Sequence, residues 1–164
     1  YMEKNKPPIR VVAPGRTFRK DDVDATHSPM FHQFEGLMVD KDISLSHLKG
    51  VLTHAFQELI NPDIKLRFRS SFFPFVEPGL EIDVTCVICQ GKNPRCHLCK
   101  GTGWLEMAGC GMVHPNVLKA VKIDPKKYTG FAFGAGIERL LMTKHKINDI
   151  RLFFENDQRF LKQF

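Results

Sequence analysis

The sequence predicts an α+β domain: an antiparallel sheet flanked by helices, with a small zinc-knuckle hairpin inserted between two strands. Three observations carry this expectation. Segments of alternating polar and apolar residues follow one another through loops, with few helices between them. One long helix is written as a leucine stripe, and four of the five cysteines fall within 14 residues. A chain of 164 residues suffices for one domain. Its 43% hydrophobic content offsets the entropy of ordering, which excludes disorder, collagen and low complexity.

Taken in order, Lys6-Pro7-Pro8 is extended, because proline restricts the residue before it. Ile9-Arg10-Val11-Val12 reads as a strand ended by Pro14-Gly15, and Arg16-Thr17-Phe18-Arg19 begins another. Lys20 to Pro29, with three aspartates, Thr26 and His27, has a loop composition. From Phe31 a weak alternation places Gln33 and Glu35 on one strand face and Phe34 and Met38 on the other. Ser44 is the N-cap of a helix in which Leu45, Leu48, Leu52, Phe56 and Leu59 share a face, until Asn61-Pro62 ends it.

Ile64 to Arg69 and Leu80 to Thr85 alternate as half-buried strands, the second with Glu81 and Asp83 opposing Leu80, Ile82 and Val84. Trp104 to Met107 resumes the sheet beyond the cysteines, and Asn116 to Val121 forms a short helix. Gly130 to Phe133 is a strand that turns through Gly134 and Gly136 into a helix carrying Ile137, Leu140 and Leu141. Asp157 to Phe164 reads as a last helix with Phe160, Leu161 and Phe164 inward. There is no internal repeat.

A net charge of +6 suits either ordinary solubility or the collection of polyanions such as nucleic acid. No run of about 18 apolar residues exists, so no membrane span is expected. The opening Tyr1-Met2-Glu3-Lys4-Asn5-Lys6 lacks an apolar signal core, which points to a cytoplasmic protein. Met2 stands behind a tyrosine, so the chain reads as a fragment.

Cys86-Val-Ile-Cys89 and Cys96-His-Leu-Cys99 form C-x2-C-x6-C-x2-C. Two residues between thiolates let both sulfurs face one ion, and two such knuckles complete a tetrahedron. Gly91 and Gly101 suit the tight turn after each knuckle. A zinc ion here leaves no open coordination position and is structural; an iron–sulfur cluster is the chemical competitor. Lys92, Arg95 and Lys100 offset the negative charge of the thiolates, and His97 reads as a solvated side chain, with replacement of a sulfur ligand as the alternative. The run Cys99-Lys-Gly-Thr-Gly103 resembles the zinc knuckles of DnaJ-type chaperones. A nucleic-acid-binding or chaperone-like zinc module without catalysis is therefore one functional reading. Cys110 stands apart as a small buried residue.

The other reading starts from two arginines. Arg19 sits between a strand and a polar loop, where a guanidinium can hold phosphate or carboxylate oxygens bidentately. Arg139 follows Gly136 on the first turn of a glycine-led helix, where exposed N–H groups already favour anions. Phe18-Arg19-Lys-Asp-Asp-Val-Asp24-Ala25-Thr26-His27-Ser-Pro-Met-Phe31-His32-Gln33-Phe34-Glu35-Gly36 resembles motif 2 of class II aminoacyl-tRNA synthetases. Gly130-Phe-Ala-Phe-Gly-Ala-Gly136-Ile-Glu-Arg139 resembles their motif 3. Arg67 to Gly79 and Gly109 to Leu118 are similar to signature segments of one family within the class, the alpha (catalytic) subunits of bacterial phenylalanyl-tRNA synthetase. Motif 2 spans about residues 10–40, motif 3 about 128–145 and the knuckle insertion 86–103, within a partial catalytic domain covering 1–164. No segment matching motif 1 is present, so the chain looks like the carboxyl-terminal part of such a subunit, inactive alone.

The resemblance implies activation of phenylalanine by ATP to phenylalanyl-adenylate, then acyl transfer to the 2′-hydroxyl of the terminal adenosine of tRNA(Phe). It implies catalytic roles for Arg19 on the α-phosphate and substrate carboxylate and for Arg139 on the outer phosphates. His27, Phe31 and Gly136 would complete the ATP site, with Phe31 stacked on adenine and Arg139 packing on its other face as a cation–π partner. Gln33 and Glu35 would take the ammonium group. Phe73, Phe75, Ala132 and Gly134 would enclose the phenyl ring, leaving a tyrosine hydroxyl without a partner at a cost of roughly 1–3 kcal/mol. Glu77 would help bind Mg2+ at a site shared with the beta subunit of an α2β2 enzyme. The two arginines are expected to converge over one cleft with a benzyl-sized hollow.

Overall fold

The computed structural model describes residues 1–96 and 98–164. Six strands form one antiparallel sheet: β1 (Ile9–Phe18), β2 (Met30–Asp40), β3 (Leu66–Phe73), β4 (Val76–Thr85), β5 (Trp104–Val113) and β6 (Thr129–Gly136), ordered β1-β2-β6-β5-β4-β3. Helix α1 (Leu45–Leu59) joins β2 to β3, α2 (Pro115–Ala120) joins β5 to β6, and α3 (Ile137–His145) leaves β6 directly. A 3-10 turn (Ile150–Phe153) and a four-residue α4 (Gln158–Leu161) close the chain.

The two sheet faces have different cores because side chains alternate along each strand. On one face Leu48, Leu52 and Phe56 of α1 pack with Leu80, Ile82, Val84, Phe131, Ala135 and Leu140 of α3. Ser44 caps α1 by accepting from the His47 N–H, while His47 Nδ1 accepts from the Ser44 N–H at 3.1 Å. On the opposite face Ile9, Val39, Val113 and Leu118 of α2 form a smaller core. That second core covers only part of its face, and the remainder is open.

The alternation of β4 predicts Asp83 opposite the core, yet it is 2% exposed. It accepts from Arg67 Nε and Nη2 (3.0 and 2.7 Å) and from Arg69 Nε and Nη2 (2.6 and 2.9 Å), so the charge is buried but paired. Those guanidiniums hold the carboxyl below the usual carboxylate range against the opposing effect of burial.

Three expectations are corrected. The first two strand segments are one continuous strand through Pro14-Gly15, paired with β2 from Ile9↔Val39 to Phe18↔Met30. Because β1 is an edge strand, a proline is tolerated in it. The final helix is α4 alone; Phe160 is buried, but Leu161 is 51% and Phe164 65% exposed. Leu59 is the last residue of α1 and is 45% exposed.

Candidate active site and metal centre

The open part of the second face holds a cavity of about 460 Å³, within the range of roughly 300–1,000 Å³ typical of small-molecule sites. Its walls come from the β1–β2 loop, β2, the β3–β4 turn, β5, β6 and the start of α3. Arg19 and Arg139 both line it, as do His27, Phe31, Gln33, Glu35, Phe73, Phe75, Ala132, Gly134 and Gly136. The expected convergence of two arginines 120 positions apart is observed.

Local chemistry shapes the arginine end. Asp24 accepts from the backbone N–H groups of Thr26 (2.6 Å) and His27 (2.7 Å) and from the Thr26 hydroxyl (2.9 Å). These bonds, with the His27 ring beside the carboxylate, hold its pKa far below the usual range and fold the loop so that His27 reaches the cavity. The Ile150 N–H donates to the Ala25 carbonyl and ties the loop to the 3-10 turn. The Arg19 guanidinium stands over Phe31, 5.0 Å from the ring centroid.

Arg139 donates from Nη1 to the Glu106 carbonyl at 3.1 Å. Among the described residues it is Arg19 that covers the Phe31 ring. A backbone carbonyl within reach is a better partner for a guanidinium than a neutral ring face.

Glu138, one residue before Arg139, is 4% exposed and was not singled out by sequence reasoning. Both its carboxylate oxygens accept from the His32 N–H at 2.9 Å, and Oε1 lies 2.7 Å from His32 Nδ1. It clamps α3 to β2 between Phe31 and Gln33. An acidic residue in the first turn of a glycine-led helix was the available signal. Glu81, Glu106 and Met107 also line the cavity and were likewise missed.

At the other end, Gln33 Nε2 donates to Glu35 Oε1 at 2.5 Å across the front of Gly134. A β-carbon at Gly134 would stand 2.5 Å from that amide nitrogen, so the pair needs glycine beside it. Phe73 and Phe75 stack with ring centroids 6.2 Å apart and planes 28° apart. Phe73 leans on Gly109, where an added β-carbon would meet its ring at 2.9 Å. Cys110, at the cavity floor, is a buried thiol pushed up to about 12 by desolvation, as a small buried residue should be.

Glu77 does not line the cavity. Its carboxylate is 74% exposed and lies 3.2 Å from His114 Nε2. It offers at most one or two of the roughly six oxygen ligands a magnesium ion takes, so the residues present do not make a magnesium site by themselves.

The cysteine quartet forms its own centre between β4 and β5. Cys86, Cys89, Cys96 and Cys99 are all buried, with sulfurs within 4.8 Å of one another. Sγ–Sγ separations of 3.8 Å (Cys86–Cys96) and 3.5 Å (Cys89–Cys99) match the edge of about 3.8 Å expected for zinc–sulfur bonds of about 2.3 Å. The Gly103 N–H donates to Cys99 Sγ, and Gly91 and Gly101 have φ of 79° and 80°, as the knuckle turns require. Burial pushes the Cys86 thiol up, while at Cys89 the N–H groups of Gly91 and Asn93 and the Cys99 sulfur outweigh burial and lower it. His97 lies outside the described residues. The quartet is the only group of three or more His, Cys, Asp or Glu among the described residues close enough to share an ion.

No helix among the described residues is long and apolar enough to cross a membrane. The tRNA synthetases class II core domain (F) family matches residues 1–164. The alpha subunit of phenylalanine–tRNA ligase from Francisella tularensis subsp. novicida is 62% identical over 164 residues, covering 99% of this chain and 48% of that protein. Its counterpart from Francisella tularensis subsp. holarctica is 60% identical over 163 residues, with the same coverage of 99% and 48%. The chain thus spans about half the length of the curated relatives it matches. The crystal structure of pyrrolysyl-tRNA synthetase from Desulfitobacterium hafniense superposes with a TM-score of 0.61 at 18% identity, covering 94% of this chain and 48% of that one. At that identity the likeness speaks for the fold alone. The chain belongs to the class II tRNA synthetase core family.

Proposed function

We propose that this chain is the catalytic part of a phenylalanine–tRNA ligase alpha subunit. It would activate phenylalanine with ATP and pass the acyl group to the 2′-hydroxyl of the terminal adenosine of tRNA(Phe), in the cytoplasm. The observation that carries this reading is a single cavity with two guanidiniums at one end and a small-residue hollow walled by Phe73 and Phe75 at the other. A carboxylate and a polyphosphate fit the first end and a benzyl side chain the second.

In the first step a carboxylate oxygen of phenylalanine attacks the α-phosphorus of ATP, and pyrophosphate leaves. Arg19 neutralises charge on the α-phosphate and on the attacking carboxylate, while Arg139 holds the outer phosphates. Phe31, already covered by Arg19, offers its free face to adenine, with His27 and Gly136 at the edges of the nucleotide site. Gln33 and Glu35 receive the ammonium group: Glu35 supplies negative charge and Gln33 orients it. Phe73, Phe75, Ala132 and Gly134 hold the ring.

Magnesium, when bound, would shield the phosphates; Glu77 would contribute to such a site only together with donors from a beta subunit. The sulfur quartet fits zinc, which would brace the β4–β5 hairpin. The alternative of a noncatalytic zinc module accounts for the knuckle and leaves the arginine cavity unexplained. The test is phenylalanine-dependent exchange of labelled pyrophosphate into ATP by the full-length protein purified with its partner subunit. Exchange that is stimulated by phenylalanine above other amino acids and lost in Arg19→Ala supports the reading. Exchange driven better by another amino acid, or none at all, sinks it.

A further inference from the structure

Outside the reaction cavity, a second concavity of about 420 Å³ lies where the C-terminal ends of α1 and α3 meet the root of the knuckle. The two cavities share no lining residue. Lys65 before β3, Lys92 in the knuckle, and Lys144 and Lys146 at the end of α3 line it, against one carboxylate, Asp63. All four lysines are exposed. Among the described residues none of their ammonium groups forms an ion pair.

The surroundings are basic as well. The insertion from Cys86 to Gly103 adds Arg95 and Lys100 and contains no acidic residue. With a divalent ion on the four thiolates, six basic side chains against Asp63 and that double negative charge leave a net +3 over the cleft lining and the insertion together. Lys144 and Lys146 answer the dipole of α3, but a helix end carries only about half a charge, too little to balance four ammoniums.

The cleft lacks the features of a small-anion site. No arginine fork lines it, and the helix ends that meet there are C-termini. Lysines are flexible point charges, and several spread over one concavity suit a chain of phosphates, which binds by releasing counterions. We infer that this cleft binds the sugar–phosphate backbone of RNA, holding a backbone segment of tRNA away from the reaction cavity. The proposed function enters only in naming that RNA as tRNA.

The experiment compares the zinc-loaded full-length protein with K65A/K92A/K144A, using a tRNA(Phe) transcript, a random single-stranded RNA and tripolyphosphate as probes. The expected result is tRNA binding at least about tenfold weaker at roughly 50 mM salt, with the slope of log K against log salt reduced by about 2–3. Phenylalanine-dependent pyrophosphate exchange, melting temperature and zinc content stay at wild-type values, and the charge-keeping K65R/K92R/K144R binds tRNA within about twofold of wild type. Should the triple alanine variant lose zinc, K65A/K144A, both outside the knuckle, carries the same test with a slope reduced by about 1–2. Unchanged affinity and slope overturn the proposal, as does lysine-dependent binding of tripolyphosphate with tRNA binding unaffected. If the wild-type protein shows no phenylalanine-dependent exchange, the synthetase reading falls by itself, and lysine-dependent binding of the random RNA still decides this one.

Discussion

Gly134→Ala separates the two ends of the reaction cavity. The new β-carbon would stand 2.5 Å from Gln33 Nε2 and 3.3 Å from Glu35 Oε1. Heavy atoms in ordinary contact need about 3.5 Å, so the Gln33 amide must retreat by about 1 Å. That retreat breaks its bond to Glu35. The displaced group is the tip of a flexible side chain, and folding should lose under about 1 kcal/mol.

On the proposed function substrate binding loses more, because Gln33 and Glu35, the two groups proposed to receive the ammonium, are no longer held together. A hydrogen bond to a charged group is worth about 1.5–3 kcal/mol, which corresponds to a rise of roughly 10–150-fold in the KM for phenylalanine. The KM for ATP should stay within about twofold, since Arg19 and Arg139 are untouched. Pyrophosphate exchange of the full-length enzyme with each substrate varied, beside a thermal melt, measures both. An unchanged phenylalanine KM in a folded variant refutes the assignment of Gln33 and Glu35. An equal rise for both substrates refutes the division of the cavity into two ends.

Two further outcomes concern stability. Asp83→Asn removes the charge that Arg67 and Arg69 share and should cost about 2–4 kcal/mol in denaturant unfolding, tempered because both arginines are over 40% exposed. Since the folded pKa of Asp83 lies below its unfolded value, its contribution is fully present above about pH 4 and is lost as pH falls through the folded value. The variant should therefore show a flatter acid limb, and a parallel one would contradict the pairing. Chelation should lower the melting temperature and change the fluorescence of Trp104, the single tryptophan. It directly follows the knuckle and lies 4.5 Å beneath the Arg67 guanidinium. Nucleotide binding should survive chelation; its loss in a folded protein would overturn the structural assignment of the metal.

How much could be read from sequence depended on the range over which each feature is determined. The cysteine spacing lies within 14 residues, so the gathering of the four sulfurs was legible from sequence. The α1 stripe and its Ser44 cap are likewise local, and both formed. Pro14-Gly15 looked like a break because nothing nearby shows that β1 lies at a sheet edge, where proline is tolerated. Burial of Asp83 depends on arginines 14 and 16 residues earlier, and that of Glu138 on His32, 106 positions away. Neither partner can be inferred from alternation. Leu161 and Phe164 had a helical spacing with Phe160 but too little core to bury them: Phe164 meets only His145 and Phe160, edge to face, among the described aromatic residues. Motif positions brought the cavity's arginines together on paper. That Arg19 rather than Arg139 covers Phe31 required the fold.

The most direct measurement is calorimetric titration of the full-length protein with a non-hydrolysable phenylalanyl-adenylate analogue and with its tyrosyl counterpart. The account predicts that the phenylalanyl analogue binds, that the tyrosyl one binds about 5–150-fold more weakly for want of a partner to its hydroxyl, and that Arg19→Ala abolishes the tight binding. Equal affinity for the two analogues, or tight binding that persists in Arg19→Ala, would contradict it.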